Sequence, residues 1–163
     1  MDGLTPSQKG AAAEAAIAAA VLELGLTVLR PLCEGRRYDL VVDLEPDLLR
    51  VQCKLAKHLG DVLGVRLSTS RFTPSGYVTS SYSETEIDAV AVYCPQLRRC
   101  FLIPIAEASG MRELYLRLNT TKNKQAQRVR WARDYDLALV LSRMRTTGER
   151  FPVATLADPD SGL

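Results

Sequence analysis

The sequence predicts an α/β domain in which a mixed central β-sheet is flanked by helices. Three observations lead there. An alanine-rich stretch near the start carries a full helix-capping signal. Several short β-branched runs follow, separated by turn residues. One nearly continuous apolar run, residues 87–94, has the character of a strand buried on both faces.

The first helix is expected from Thr5 to Leu24. Thr5 is a good N-cap, Pro6 suits the first helical position, and Gln8 completes a capping box. Alanines carry the helix onward, and Gly25 suits its C-terminal cap. Ile17, Val21 and Leu24 mark one face. Strands are expected over 26–32, 38–44 and 49–56, with a polar turn around Gly35 and another at Glu45-Pro46-Asp47. In the third strand Arg50, Gln52 and Lys54 leave one face, and Val51, Cys53 and Leu55 the other. A fourth strand is expected over 62–70. Residues 71–86, rich in Ser, Thr and Gly, read as a loop. Strands at 87–94, 100–105 and 114–118 follow, then helices at 125–132 and 137–144, and a loose tail from about Thr146.

The chain of 163 residues suits one domain that builds a core without disulfides or a structural metal. Its net charge of +2 does not announce a nucleic-acid binder, but the distribution is uneven. Residues 112–150 hold ten Lys/Arg against four Asp/Glu, while residues 1–60 hold seven against eight. A basic C-terminal third fits a polyanion partner, and fits a solvated helix face equally well. Cys33, Cys53, Cys94 and Cys100 form no Cys-x-x-Cys pair, and only His58 could join them, so a zinc site is poorly supported. Reduced cysteines in apolar runs point to a cytoplasmic location. No signal peptide or membrane span is expected.

Three weak signals carry the chemistry. Asp39 stands at the start of the second strand, where a carboxylate reaches a metal without full burial; an ordinary turn aspartate reads the same way. Gln52 and Lys54 leave one strand face together, as does any solvent-facing polar pair. Glu14 is the only charged residue between Ala11 and Leu22 and shares the stripe of Ile17, Ala18 and Val21. An acid there is costly unless paired or metal-bound, or unless the helix tilts it to an edge. Together they make an ordered set: an acid on a helix, a strand Asp, then Gln-Cys-Lys starting 13 residues later. Metal-assisted phosphodiester hydrolysis uses such parts. Oxygen ligands hold Mg²⁺, and a lysine stabilises developing negative charge.

At these residues the chain resembles the PD-(D/E)XK nucleases, most closely the branch of homing endonucleases encoded in group I introns. The matching text includes Gly10 and Glu14, Leu29-Arg30-Pro31, 37–43 (RYDLVVD), Val51-Gln52-Cys53-Lys54, 86–95 (EIDAVAVYCP), Thr121-Lys122-Asn123 and Arg130-Trp131-Ala132. It runs to about residue 137. The resemblance implies a restriction-endonuclease-like core over residues 1–137; residues 138–163 lie outside it and read as a C-terminal helix and flexible tail. It implies Asp39 and Gln52 as metal ligands, the Cys53 carbonyl as another, Lys54 beside the attacking water, and Glu14 acting through water or on a second metal. Gln52 replaces the acid usual in the superfamily, so the metal, Mg²⁺ or Mn²⁺, should bind more weakly.

The implied activity is site-specific cleavage of double-stranded DNA by a homo-oligomer, dimer or tetramer, since one small domain cannot span a long site. Arg66, Ser68, Ser70 and Arg71 could line a groove-reading ribbon. Lys122, Asn123 and Arg128 suit phosphate or base contacts. Asp43, Asp88 and His58 read as structural or solvent residues. Competing readings are a Holliday-junction-resolvase-like nuclease and a DNA-binding protein that has lost catalysis.

Overall fold

The computed structural model describes residues 1–33, 35–119 and 129–151, with backbone alone at 70–73. Helix α1, Pro6–Glu23, begins as its sequence directs. The Thr5 Oγ1 accepts the Gln8 N–H, and the Gln8 side chain accepts the Thr5 N–H in return. Ala13, Ile17 and Val21 form its buried face, and their small or branched side chains let the helix lie on the sheet.

The central sheet contains β1 (Thr27–Leu29), β2 (Leu40–Asp43), β3 (Leu48–Leu55), β8 (Ala89–Cys94) and β9 (Arg99–Pro104), in the order β1-β2-β3-β8-β9. The β3–β8 pair is parallel, with Gln52 beside Val90 and Lys54 beside Val92, and the other pairs are antiparallel. The sheet is therefore mixed. Every residue of β8 but Tyr93 is buried, as its unbroken apolar run requires.

Each face of this sheet has its own core. On one side, α1 and α2 (Leu137–Thr147) cover it with Ile17, Val21, Leu137, Leu141 and Met144. Asp136 accepts the Leu139 N–H to start α2, and Gly148, at φ 66°, ends it in the left-handed conformation glycine tolerates. On the other side packs a small sheet, ordered β10-β5-β4, made of β4 (Lys57–Leu59), β5 (Val62–Arg66) and β10 (Glu113–Arg117). Leu63, Val65, Leu114 and Leu116 from it meet Val90, Val92, Phe101 and Ile103. Strands β6 (Thr69–Thr73) and β7 (Gly76–Ser80) form a separate two-stranded ribbon. Among the described residues no helix is long and apolar enough to cross a membrane.

Several expectations change. The strand expected over 62–70 divides, because the chain leaves the small sheet at Leu67, whose N–H bonds to Arg112, and then enters the ribbon. The expected loop over 71–86 contains most of that ribbon. Strand β7 has no buried residue, so no hydrophobic alternation marks it. The edge strand β4 had no signal either, since all its residues are exposed. The helix expected over 125–132 is not α-helical at its described end. There the Arg130 carbonyl accepts the Arg117 N–H, and Trp131 bridges Arg117. The sheet edge has claimed that backbone, and only a 3₁₀ turn, Ala132–Tyr135, follows. The rest of that helix, and the tail from residue 152, lie outside the described residues.

Candidate active site

The site lies at the end of the β2–β3 pair, where α1 approaches. The β2–β3 register runs to Leu40 opposite Val51 and then stops. Beyond it the Cys53 N–H has no strand partner, and the Asp39 carboxylate accepts it at 2.8 Å. The same Asp39 oxygen accepts the side-chain N–H of Gln52. Asp39 is thus tied to β3 by a main-chain and a side-chain bond. It stands one residue before β2, not within the strand.

Glu14 comes to the same place from α1. Glu14 and Asp39 both line an open cleft of about 320 Å³, together with Arg30, Pro31, Cys33, Arg36 and Tyr38. Burial raises the Asp39 carboxyl above its ordinary range, and the Cys53 N–H, Lys54, Gln52 and Arg30 only partly offset it. Burial also raises Glu14, and the Asp39 charge raises it further, against the pull of Arg30. Both acids hold their protons more tightly than in water, because each is desolvated and Asp39 places like charge near Glu14.

Arg30 meets this negative charge directly, its Nη2 lying 2.6 Å from the Glu14 carboxylate. The sequence reading gave Arg30 no role, although it stands inside the matching Leu-Arg-Pro text. Its pairing with Glu14, 16 residues earlier on a helix, has no sequence signature.

Gln52 and Lys54 share a strand face as expected, yet Gln52 is 8% exposed rather than solvent-facing. Its amide nitrogen turns toward Asp39. A half-turn of that amide presents Oε1 to the same point. The Cys53 thiol points to the helix-side core, where burial raises its pKa far above the usual range. It is no nucleophile in that state. Its backbone N–H and carbonyl remain at the site, the carbonyl 3.4 Å from the Gln52 Nε2. The Lys54 ammonium lies 5.2 Å from the ring centre of Tyr82. Tyr82 was missed because nothing in the Ser/Thr-rich segment around it marks a buried ring.

Among the described residues no group of three or more His, Cys, Asp or Glu gathers that can hold a metal. The oxygen donors here are two carboxylates, one side-chain amide and one main-chain carbonyl. This hard, oxygen-only set fits Mg²⁺ or Mn²⁺. The raised carboxyls fit as well, because a divalent cation offsets the desolvation that raises both and the Asp39 charge that adds to it at Glu14.

Asp43 accepts the Glu45 N–H within a turn. Asp88 pairs with Arg50 and Arg150. His58 is exposed on β4. Arg66 is exposed at the end of β5 and donates to the nearly buried Ser68 hydroxyl at 3.4 Å. Arg71 belongs to β6, opposite Val78. Lys122, Asn123 and Arg128 lie outside the described residues.

A carboxylate before a strand, X-x-Lys on the next strand and an acid on the covering helix are the parts of a nuclease site. The family model for PD-(D/E)XK endonucleases matches residues 4–138, and the chain belongs to that family. Nucleases of this family generally use divalent metal ions. Among solved structures, the chain is similar to a bacterial homing endonuclease, I-Ssp6803I. The two share 27% sequence identity at a TM-score of 0.70, over 90% of this chain and 99% of the other. No protein with a curated description matches the sequence.

Proposed function

We propose that this endonuclease hydrolyses phosphodiester bonds in double-stranded DNA with Mg²⁺ or Mn²⁺, as a site-specific homing endonuclease. One observation carries the reading: Glu14 and Asp39 line one cleft, while Gln52 and the Cys53 N–H tie Asp39 to the strand that bears Lys54. Asp39, Glu14, the Gln52 amide oxygen and the Cys53 carbonyl would hold the metal. The metal, when bound, would polarise the scissile phosphate and acidify water.

The residues of the chain do the rest. Asp39 is desolvated and anchored, so it offers a carboxylate without reorganising. Gln52 adds an oxygen but no charge, which keeps the site weak for metal. Lys54 places a cation beside the negative charge that develops during attack. Arg30 neutralises Glu14 in the free protein and is placed to meet a phosphate in the cleft.

DNA contact is assigned to Arg66, with Ser68 orienting it, to Arg71 on the ribbon, and to Lys122, Asn123 and Arg128. Residues 1–137 are taken as the nuclease domain, and α2 beyond it as packing. A homo-oligomer, dimer or tetramer, acting in the cytoplasm, would let two sites face the two strands of a long target. The similarity to a homing endonuclease supports site specificity.

The test is supercoiled plasmid carrying candidate intron-free alleles, with Mg²⁺ and with Mn²⁺. Linearisation by wild type and none by Asp39→Ala is expected. Binding without cutting by both proteins would leave a DNA-binding protein that has lost catalysis. Preferential cutting of a four-way junction would point to a resolvase. Replacing Lys122 and Arg128 by Ala should weaken binding and lower the slope of log affinity against log salt by about 0.9 per lost phosphate contact. An unchanged slope would remove those residues from the DNA surface.

A further inference from the structure

We infer that Tyr82 is a positioning residue for the reaction, its buried ring holding the Lys54 ammonium beside Asp39. This rests on the nuclease reading above and gives that site a second layer. Tyr82 is only 4% exposed, and the Lys54 Nζ sits 5.2 Å from its ring centre. A lysine is a point charge on a flexible stem, and ordering it costs rotamer entropy. Among the described residues no ion pair holds Lys54. A carboxylate partner would fix it but would cancel the charge the chemistry needs. An aromatic face attracts a cation through its quadrupole and carries no net charge. The ring therefore restrains Lys54 and leaves its charge available to a phosphate.

The ring itself is held by Arg37, two residues before Asp39. The Arg37 guanidinium carbon lies 4.5 Å from the Tyr82 ring centre. Its Nε donates to Glu86 Oε1 at 3.0 Å and its Nη2 to the Ser81 carbonyl at 2.7 Å. Glu86 also accepts the Ser83 N–H and hydroxyl, both at 3.1 Å. Arg37 thus ties the 81–86 segment to the chain entering β2. Its own charge is matched by Glu86, so the two cations near one ring do not repel at full strength. The same arginine that carries Tyr82 is covalently close to Asp39, which couples the position of the lysine to that of the carboxylate.

The experiment uses full-length protein labelled with ¹³C-lysine, the Lys54 signal being identified by its loss in Lys54→Gln. Ring current from Tyr82 should move the Lys54 ε-methylene protons upfield in wild type. The shift should persist in Tyr82→Phe and vanish in Tyr82→Leu. Single-turnover cleavage should stay within about threefold of wild type for Tyr82→Phe and fall about tenfold for Tyr82→Leu. DNA affinity without Mg²⁺ should be unchanged in both. An unshifted Lys54 signal in wild type overturns the inference whether or not any variant folds. So does wild-type cleavage by a folded Tyr82→Leu. If wild-type protein leaves every plasmid intact, the nuclease reading falls and this role with it; if wild type cuts and the Lys54 signal is unshifted, this role alone falls.

Discussion

Strand β3 holds a carboxylate at each end, and the two are in opposite electrostatic states. Near its start, Asp88 accepts the Arg50 N–H at 2.7 Å and the Arg50 guanidinium at 3.0 Å, and Arg150 approaches to 3.2 Å. Burial opposes its ionisation, but the Arg50 bonds and the Arg150 charge outweigh burial and hold the carboxyl below its ordinary range. Near its end, Asp39 accepts the Cys53 N–H and the Gln52 amide. Burial wins there, and the carboxyl is raised. The arrangements share a plan, a main-chain and a side-chain donor from the same strand, although Asp88 also accepts the Arg50 Nη2 at 3.1 Å. The difference is that Arg50 brings a full charge and Gln52 does not. One end of the strand is a completed ion pair that supports the fold. At the other end Glu14 pairs with Arg30, while among the described residues no ion pair holds Asp39, an arrangement that suits the cation proposed for it.

The largest expected effect is on catalysis. Asp39→Ala should lower plasmid cleavage with Mg²⁺ by about a thousandfold, while Asp88→Ala should cut at a rate set only by its folded fraction. Single-turnover rates on both variants check this. Comparable losses per folded molecule would erase the division between the two ends.

Stability should show the reverse. Asp88→Ala strands Arg50 and its N–H, and should cost about 2 kcal/mol in urea unfolding. Asp39→Asn should cost less in metal-free buffer, because it removes a carboxylate that folding has already made less favourable.

The pH dependence separates them by sign. Asp88 is depressed, so its contribution is full above the ordinary carboxylate range and is lost as pH falls through its folded value. Asp39 and Glu14 are raised. Below the ordinary range both states are protonated and nothing is lost. As pH rises toward their folded values, the metal-free protein loses stability. Metal-free unfolding curves across the acid range should show Asp88→Asn losing the acid limb and Asp39→Asn losing the opposing one. Added Mg²⁺ should restore wild type on that second limb.

The smallest effect sharpens the role of Gln52. Gln52→Glu adds a third acid to the cleft and should raise Mg²⁺ affinity about tenfold. It should also lower metal-free stability by on the order of 1 kcal/mol, through like-charge repulsion. Calorimetric metal titration and urea unfolding give the two readouts. An unchanged Mg²⁺ affinity would mean that residue 52 does not face the metal.

Much of the scaffold was legible because local signals and burial agree. Thr5, Pro6 and Gln8 set the start of α1. The apolar run marked β8 as an interior strand of the sheet. The helix expected over 137–144 formed, although α2 runs on to Thr147, into the stretch expected to be tail. The polar ribbon, β4 and the segment before Ala132 were not legible. Their backbone pairing owes little to side-chain hydrophobicity, and a period-based reading sees only the latter.

The candidate site divides along the same line. The sequence by itself determined which side chains share a face, since a strand's two-residue repeat puts Gln52 with Lys54 and a helix's repeat puts Glu14 with Ile17. It also determined that an acid interrupts an otherwise apolar helical stripe. Only the tertiary structure decided that Gln52 is buried, that Arg30 closes on Glu14, and that Tyr82 stands by Lys54. Those contacts join residues 13 to 28 positions apart across elements of different kinds. No periodicity reaches across such gaps, and what brings the groups together is the packing of helix and loop against the sheet.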